Sequence, residues 1–246
     1  MLQELGNLLS DYWPSLLLTA AVAYLLGSLN FAIIVTRLMT KSDIRKYGSG
    51  NAGATNVLRS QGKVPAVLTT LGDLAKSIVA VIAGRYIVLG IAGMPNELLS
   101  SAAPYEQEFY GLAGAYLAGL FCIVGHLYPL YFGFRGGKGV LTTLGMMLIL
   151  DWRVALLCLA LFIIVVIISR MVSLGSICAA ILLPILTWLF RAFVDHKEGI
   201  VVLFCTLMTT VIAVILVAKH AANIKRIAAG TESRISFSSK EKEKGR

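Results

Sequence analysis

Two glycine-rich stretches of the sequence carry residue types that bind phosphate. The first, GSGNAGATN at 48–56, is followed by Arg59, and the second, GFRGGKG at 133–139, contains Lys138. Glycine lets successive backbone N–H groups turn toward an anion, while arginine and lysine add positive charge. We therefore predict anion-binding loops, with a flexible loop as the alternative for the first stretch. The binding candidates are Ser49, Asn51, Thr55, Asn56, Arg59, Gly136, Gly137 and Lys138.

Further polar residues follow apolar segments later in the chain. Ser173 stands at one such junction, and His220 and Asn223 at another. His220 and Asn223 are three residues apart, so they share a face of a helix. A histidine can donate to a phosphate or move a proton near neutral pH. The alternative for His220 is a side chain at the membrane interface, and for Lys225 and Arg226 we favour attraction to anionic lipid headgroups.

Asp73 and Lys76 interrupt an apolar segment. Their spacing of three residues allows an ion pair on one helix face. Charges inside a membrane span are costly and face the interior of the bundle. We favour a structural role for this pair, and for Ser28 and Asn30 in the preceding apolar segment.

The sequence lacks the motifs of several enzyme classes. It has no His/Cys/Glu metal-ligand set, no G-x-S-x-G nucleophile motif and no paired-carboxylate motif. None of the three histidines has an acidic residue five positions later, which excludes the H-x-x-x-x-D acyltransferases. The glycine run with Lys138 is not a P-loop, because Gly139 stands where Ser or Thr would bind Mg²⁺. We expect no metal and no cofactor.

The composition indicates a membrane protein. Of the 246 residues 57% are hydrophobic and only 14% are charged, although the net charge is +9. A soluble enzyme or a disordered chain needs far more polar surface. Membrane spans need about 20 apolar residues, and β-barrel strands would alternate polar and apolar positions instead. We predict seven helical spans, at Leu16–Met39, Val64–Ala92, Phe109–Phe132, Lys138–Leu150, Val154–Ser169, Val172–Phe193 and Ile200–Ala218.

The fourth segment is the shortest of the seven, and the positive charges decide how it is interpreted. As a helix it covers only about 20 Å, which fits a short span or a half-helix entering a polar cavity. With seven spans, 17 of the 22 Lys and Arg residues face one side, the side expected to be cytoplasmic. With six spans the basic C-terminal region would lie outside. We therefore predict an external N-terminus and a cytoplasmic C-terminus.

The domain organisation is simple in this interpretation. Residues 1–230 form a single seven-span domain, and residues 231–246 form a polar, disordered tail. The four cysteines lie within predicted spans without C-x-x-C spacing, so we interpret them as packing residues.

The motifs together resemble the bacterial membrane acyl-phosphate:glycerol-3-phosphate acyltransferases of the PlsY family. The similar stretches are GSGNAGATNVLR (48–59), GHLYPLYFGFRGGKGV (125–140), RMVSLGSI (170–177) and KHAANIKRIAAGTE (219–232). The resemblance implies acyl transfer from acyl phosphate to the 1-hydroxyl of glycerol 3-phosphate, at the cytoplasmic face of the inner membrane. Because acyl phosphate is already activated, no acyl-enzyme is needed. The expected partners are the two substrates and the lipid bilayer, with no nucleic acid and no obligatory protein partner.

The resemblance also implies roles for individual residues. Arg59, Lys138, His220 and Asn223 would be catalytic. Ser49, Ser173, Thr55, Asn56 and the Gly136–Gly137 backbone would bind the polar substrate and the phosphates. For the proton of the attacking hydroxyl, His220 and the phosphate of the donor are both possible acceptors, and we favour the phosphate. The alternative function is a transporter for a phosphorylated or anionic solute, since a broken helix at a polar cavity is also typical of transporters.

Overall fold

The computed structural model describes residues 12–91 and 104–235, together with Gly6 and Ser10, and every regular element in these ranges is helical. Six helical stretches are long and apolar enough to cross a membrane. The predicted all-helical fold is thus confirmed, whereas the tail from residue 236 lies outside the described residues. The α-helices in this part of the chain are α1 (Trp13–Ser28), α2 (Phe31–Thr40), α3 (Ala54–Gln61), α4 (Lys63–Tyr86), α5 (Pro104–Leu127), α6 (Val140–Leu150), α7 (Trp152–Ser169), α8 (Val172–Leu189), α9 (Gly199–Lys219) and α10 (Ala221–Ala228).

The first predicted span is two helices rather than one. Leu29 and Asn30 separate α1 from α2, and the Asn30 side chain accepts a hydrogen bond from the backbone N–H of Ile33 at 3.2 Å. The break exposes carbonyl oxygens that a continuous helix would use internally. Those of Gly27 and Leu29 accept hydrogen bonds from Lys76 Nζ of α4 at 3.0 and 2.9 Å. The break and the buried lysine therefore satisfy each other.

Helix α5 is the most buried of the six long stretches, and small residues bring its neighbours close. A β-carbon on Gly84 of α4 would meet the carbonyl oxygen of Gly114 of α5, and the reverse also holds. Gly27 of α1 packs in the same way against the backbone of Cys122. Such contacts let helix backbones approach closely. Inside a membrane, where the hydrophobic effect does not drive helices together, this close packing holds them.

The short helix α6 ends in a network of charged side chains. Arg153 bridges Asp151 and Asp195 at 2.9 and 2.8 Å, and Arg191 donates to the carbonyl oxygen of Leu150 at 2.8 Å. Asp151 also caps α7 by accepting from the backbone N–H of Arg153. The carbonyl oxygens of Met147 and Leu150 at the C-terminal end of α6 thus have partners beyond the helix, which is only 11 residues long.

Lys76→Met tests the helix break. The substitution removes the partner of the Gly27 and Leu29 carbonyls and leaves the Asp73 carboxylate unpaired. Breaking a buried ion pair in this way costs about 3–5 kcal/mol. We expect that loss in the free energy of unfolding, measured by denaturant titration in detergent. Arg85→Met, exposed on the same helix, is the control, and equal stability of the two variants would contradict this account.

Candidate active site

A cavity of about 640 Å³ lies where the two glycine-rich stretches meet. The loop before α3, the N-terminal ends of α6 and α8, and the segment around α10 all contribute to its wall. The structure thus brings together residues that are far apart in the sequence. Those predicted from sequence that line it are Ser49, Asn51, Thr55, Asn56, Arg59, Lys138, Ser173, His220 and Asn223.

Asn56 holds the first glycine-rich stretch in shape. Its Oδ1 accepts a hydrogen bond from the backbone N–H of Ser49 at 3.1 Å, and its Nδ2 donates to the carbonyls of Tyr47 and Asn51 at 2.9 and 3.0 Å. The side chain is buried. Asn56 therefore shapes the loop through its amide, a role different from the substrate contact that the sequence predicts.

Helix α3 begins inside this stretch, at Ala54, where the sequence suggested only a loop. Thr55 and Arg59 are four residues apart on it, so both fall on the face that lines the cavity. Arg59 is exposed and its Nη2 lies 3.5 Å from the carbonyl oxygen of Ser233. Its charge therefore stands at the rim of the cavity, fixed by a short helix.

In the second glycine-rich stretch the structure differs from the prediction that the backbone of Gly136 and Gly137 binds phosphate. The N–H groups of Gly136 and Gly137 donate to the carbonyls of Leu127 and His126, each at 3.1 Å, so in this conformation they are not available to a phosphate. The N-terminal end of α6 is different. Val140, the first residue of the helix, lines the cavity there. That the free N–H groups and positive dipole end of α6 bind a phosphate stays a prediction.

A chain of hydrogen bonds crosses the cavity from Lys138 and ends at a carboxylate. Lys138 donates to Asn223 Oδ1, and Asn223 Nδ2 donates to Glu232 at 2.7 Å. Glu232 also accepts from Ser173 at 2.7 Å and from Arg226 at 2.8 Å. Sequence reasoning missed Glu232 because it lies in the predicted tail. The only signal was one acidic residue in an otherwise basic motif.

Lys138 has an altered acid–base equilibrium. Burial lowers the pKa of its ammonium group to about 8, and the nearby positive charges of Arg226 and Arg59 act in the same direction. Glu232 partly offsets this effect by favouring the charged form. Lys138 therefore stays mostly protonated at neutral pH but loses its proton more easily than a surface lysine.

His220 lies at the junction of α9 and α10 with one ring nitrogen fixed. Nδ1 is 2.8 Å from the carbonyl oxygen of Leu216, which can only accept, so Nδ1 carries the hydrogen. Burial lowers the pKa of His220, and the charge of Lys138 lowers it further. The ring is therefore neutral at pH 7, with a lone pair on Nε2 that can accept a hydrogen bond or a proton.

Two buried titratable residues also line the cavity, Asp73 and His126. Lys76 Nζ lies 2.8 Å from Asp73 Oδ1, which confirms the predicted ion pair, and 3.0 Å from His126 Nδ1. From the sequence we favour a structural role for this pair, and we assign no role to His126, although it lies in the similar stretch 125–140. Within the described ranges, no three His, Cys, Asp or Glu side chains are grouped closely enough to hold a metal ion.

A smaller, apolar cavity of about 110 Å³ adjoins the polar one. It lies between α6, α7 and α8, and an apolar ligand entering it would meet almost only aliphatic and aromatic side chains. The two cavities share Val140, Leu141, Phe162 and Ser176. The arrangement suits a ligand with a polar, anionic end and an apolar tail.

Comparison with known proteins gives consistent results. The family model described as glycerol-3-phosphate acyltransferase matches residues 17–230. The chain is 41% identical over 222 residues to the glycerol-3-phosphate acyltransferase of Clostridioides difficile, covering 90% of this chain and 96% of that protein. It is 39% identical over 219 residues to that of Thiobacillus denitrificans, covering 89% and 96%.

Solved structures of PlsY, an integral membrane glycerol 3-phosphate acyltransferase, are similar as well. The glycerol 3-phosphate form matches with a TM-score of 0.69 and 31% identity over 90% of this chain and 96% of that one. The lysophosphatidic acid form matches with a TM-score of 0.67 and 32% identity over the same shares of the two chains.

The pKa of Lys138 can be tested without a substrate. Only the neutral amine reacts with an acylating reagent, so labelling of Lys138 should rise with pH and reach half its maximal rate near pH 8. The measurement is mass spectrometry of the peptide after brief labelling across pH 6 to 11. Lys138→Arg serves as the control that assigns the signal, and a midpoint at the ordinary lysine value of about 10.4 would contradict the proposed environment.

Proposed function

The chain belongs to the glycerol-3-phosphate acyltransferase family, and from that premise we propose that it transfers an acyl chain from acyl phosphate to the 1-hydroxyl of glycerol 3-phosphate. The products are 1-acyl-glycerol 3-phosphate and inorganic phosphate, in phospholipid synthesis. The names of the relatives and the two ligand forms of PlsY support the acceptor and the product. The identity of the acyl donor is supported separately, by the two cavities.

The observation that carries the proposal is the junction of a polar, cationic cavity with an apolar one. An acyl phosphate has this same division, with a phosphate at one end and a hydrocarbon chain at the other. We place the part of the acyl chain next to its carbonyl group in the apolar cavity between α6, α7 and α8. Its carbonyl carbon then lies at the shared wall, near Val140 and Ser176, where glycerol 3-phosphate can reach it from the polar side.

The reaction needs positioning more than covalent help from the protein. Acyl phosphate is already activated, because phosphate is a good leaving group. The 1-hydroxyl oxygen attacks the carbonyl carbon, the bond from that carbon to the phosphate oxygen breaks, and phosphate leaves with the electron pair. Arg59, Lys138 and the N-terminal end of α6 can hold the two phosphates together and stabilise the negative charge that develops on the carbonyl oxygen.

Polar side chains around the cavity complete the proposed phosphate sites. Ser173 and Asn223 are hydrogen-bonded to Glu232 in the present structure, so an incoming phosphate would take the place of that carboxylate as their acceptor. We assign the proton of the attacking hydroxyl to the phosphate of the donor, which the reaction itself brings beside that hydroxyl. The proposed substrate contacts are Ser49, Asn51, Thr55, Ser173, His220 and Asn223, with Arg59 and Lys138.

The position of the cavity residues supports seven spans with the site on one side of the membrane. Four residues that follow one another along the chain line the same cavity: Arg59, Lys138, Ser173 and His220. The chain must therefore cross the membrane an even number of times between each of them and the next. Among the described residues two long or apolar helices lie in each interval, and α6 must be one of the pair between Lys138 and Ser173. The excess of Lys and Arg on that side favours the cytoplasm. We therefore propose a multi-pass inner-membrane enzyme that acts at its cytoplasmic face.

The activity is tested with purified protein in detergent, supplied with palmitoyl phosphate and glycerol 3-phosphate. We expect phosphate release that requires both substrates, and an equal amount of lysophosphatidic acid by mass spectrometry. Palmitoyl-CoA in place of palmitoyl phosphate is the control for the donor and should give no product. Phosphate release that does not depend on glycerol 3-phosphate would contradict the acceptor, and product from palmitoyl-CoA would contradict the donor.

Arg59→Ala and Lys138→Ala test the electrostatic part of the mechanism. Loss of one group that stabilises charge in the transition state typically costs about 3–4 kcal/mol, so each variant should lower kcat/KM by about 100- to 1000-fold. Steady-state phosphate release measures the effect. Lys225→Ala, an exposed lysine on α10 beside the site, is the matched control and should retain the parent rate. Full activity of either cavity variant would mean that the phosphates bind elsewhere.

A further inference from the structure

The buried cluster of Asp73, Lys76 and His126 has no part in the acyl transfer as described. All three side chains are nearly inaccessible, with 1%, 5% and 4% of their surface exposed, yet Asp73 and His126 line the polar cavity. They come from the middle of α4 and the C-terminal end of α5. Burying charged side chains costs free energy, and this cluster lies beside the proposed substrate site.

The hydrogens of Lys76 can be assigned from its neighbours. The ammonium group has three, and three acceptors are aligned with it: the carbonyls of Gly27 and Leu29 and Nδ1 of His126. Asp73 Oδ1 lies 2.8 Å away but is not aligned as a hydrogen-bond acceptor, so it balances the charge as an ion pair. All three hydrogens of Lys76 are thus taken up by partners within the protein.

This assignment fixes what His126 and Asp73 present to a ligand. Because Nδ1 of His126 accepts from Lys76, the ring hydrogen is on Nε2, which makes Nε2 a donor. The ion pair and the His126 contact of Asp73 both use Oδ1, so Oδ2 is the oxygen left to meet a ligand. The buried side of the cavity therefore offers one donor and one anionic acceptor.

This pairing selects a hydroxyl group and rejects a phosphate. An alcohol can donate its hydrogen to the Asp73 carboxylate while its oxygen accepts from His126. A phosphate has no hydrogen to give when fully ionised and is repelled by the carboxylate. The cationic side chains of Lys138 and Arg226 instead contact Asn223 and Glu232, on the part of the wall formed around α10. The two ends of glycerol 3-phosphate thus have different places to bind.

We propose that Asp73 and His126 form the subsite that binds the 2-hydroxyl of glycerol 3-phosphate, with Lys76 as their positioning residue. The inference rests on the proposed function, because it assigns a contact to the acceptor named there. The reacting 1-hydroxyl must point to the acyl donor, at the wall that the two cavities share through Val140 and Leu141. The neighbouring hydroxyl is then the one that reaches Asp73 and His126, and holding it orients the reacting one.

A cycle of substrate and side-chain changes tests the subsite. 3-Hydroxypropyl phosphate keeps the phosphate and the reacting hydroxyl but lacks the 2-hydroxyl. For the parent protein we expect its kcat/KM to be about 10- to 100-fold lower than that of glycerol 3-phosphate, the size of a hydrogen bond to a charged group. The ratio of kcat/KM for glycerol 3-phosphate to kcat/KM for 3-hydroxypropyl phosphate should fall toward one in Asp73→Asn. In His126→Phe the same ratio should fall at least about threefold. Ser77→Ala, buried on the same helix one turn after Asp73, should keep the ratio of the parent.

The outcomes separate a substrate contact from a structural role. If both variants lose activity equally with the two substrates, so that the ratio stays at the parent value, the subsite is overturned. A parent that does not distinguish the two substrates overturns it as well. Should Asp73→Asn not fold, His126→Phe decides, because it leaves the Asp73–Lys76 ion pair intact. If the parent shows no acyl transfer, the proposed function fails, and the same ratio is then measured as calorimetric binding of the two phosphate esters.

Discussion

The buried ammonium group of Lys76 constrains much of the surrounding architecture. A charged lysine inside an apolar bundle must find acceptors for three hydrogens and an opposite charge, or it destabilises the fold. Continuous helices offer no free carbonyl oxygens, because each is bonded within its own helix. The break between α1 and α2 supplies two of the acceptors, His126 supplies the third and Asp73 the charge. Three helices are thus tied together at one atom.

Residues next to this buried cluster also hold both glycine-rich loops by hydrogen bonds. Asn30, in the break of the first span, donates from Nδ2 to the carbonyl oxygen of Ala52 at 3.3 Å and so holds the first loop. The carbonyl oxygen of His126 accepts from the N–H of Gly137 and holds the second. A β-carbon on Gly137 would meet both the His126 ring and Ala52, which explains why glycine is required there. The positions of Arg59 and Lys138 therefore depend on a cluster that neither residue touches.

The sequence predicted what depends on local pattern and missed what depends on distant partners. Apolar length identified the six long helical stretches, and the spacing of Asp73 and Lys76 identified their ion pair, because both signals lie within one segment. Glu232 escaped notice because it lies in the predicted tail, and its contact with Ser173 joins residues 59 positions apart, which no local pattern shows. Gly136 and Gly137 were predicted to face a phosphate because glycine-rich loops often do. Whether an N–H meets a ligand or a carbonyl is set by how the loop packs on α5, which composition does not encode.

The placement of Glu232 follows from the charge of the cavity. Lys138, Arg226 and Arg59 converge on a partly buried space. Burial lowers the pKa of Lys138 to about 8, and repulsion from Arg226 and Arg59 contributes in the same direction, so these cations need a counter-ion. Hydrogen bonds from Ser173, Asn223 and Arg226 outweigh the effect of burial and lower the pKa of Glu232, so it remains an anion. The carboxylate thus supplies the negative charge that these cations need before a phosphate arrives. In the proposed reaction the same donors can turn to the phosphate, which replaces one anion by another and keeps the cationic side chains in place.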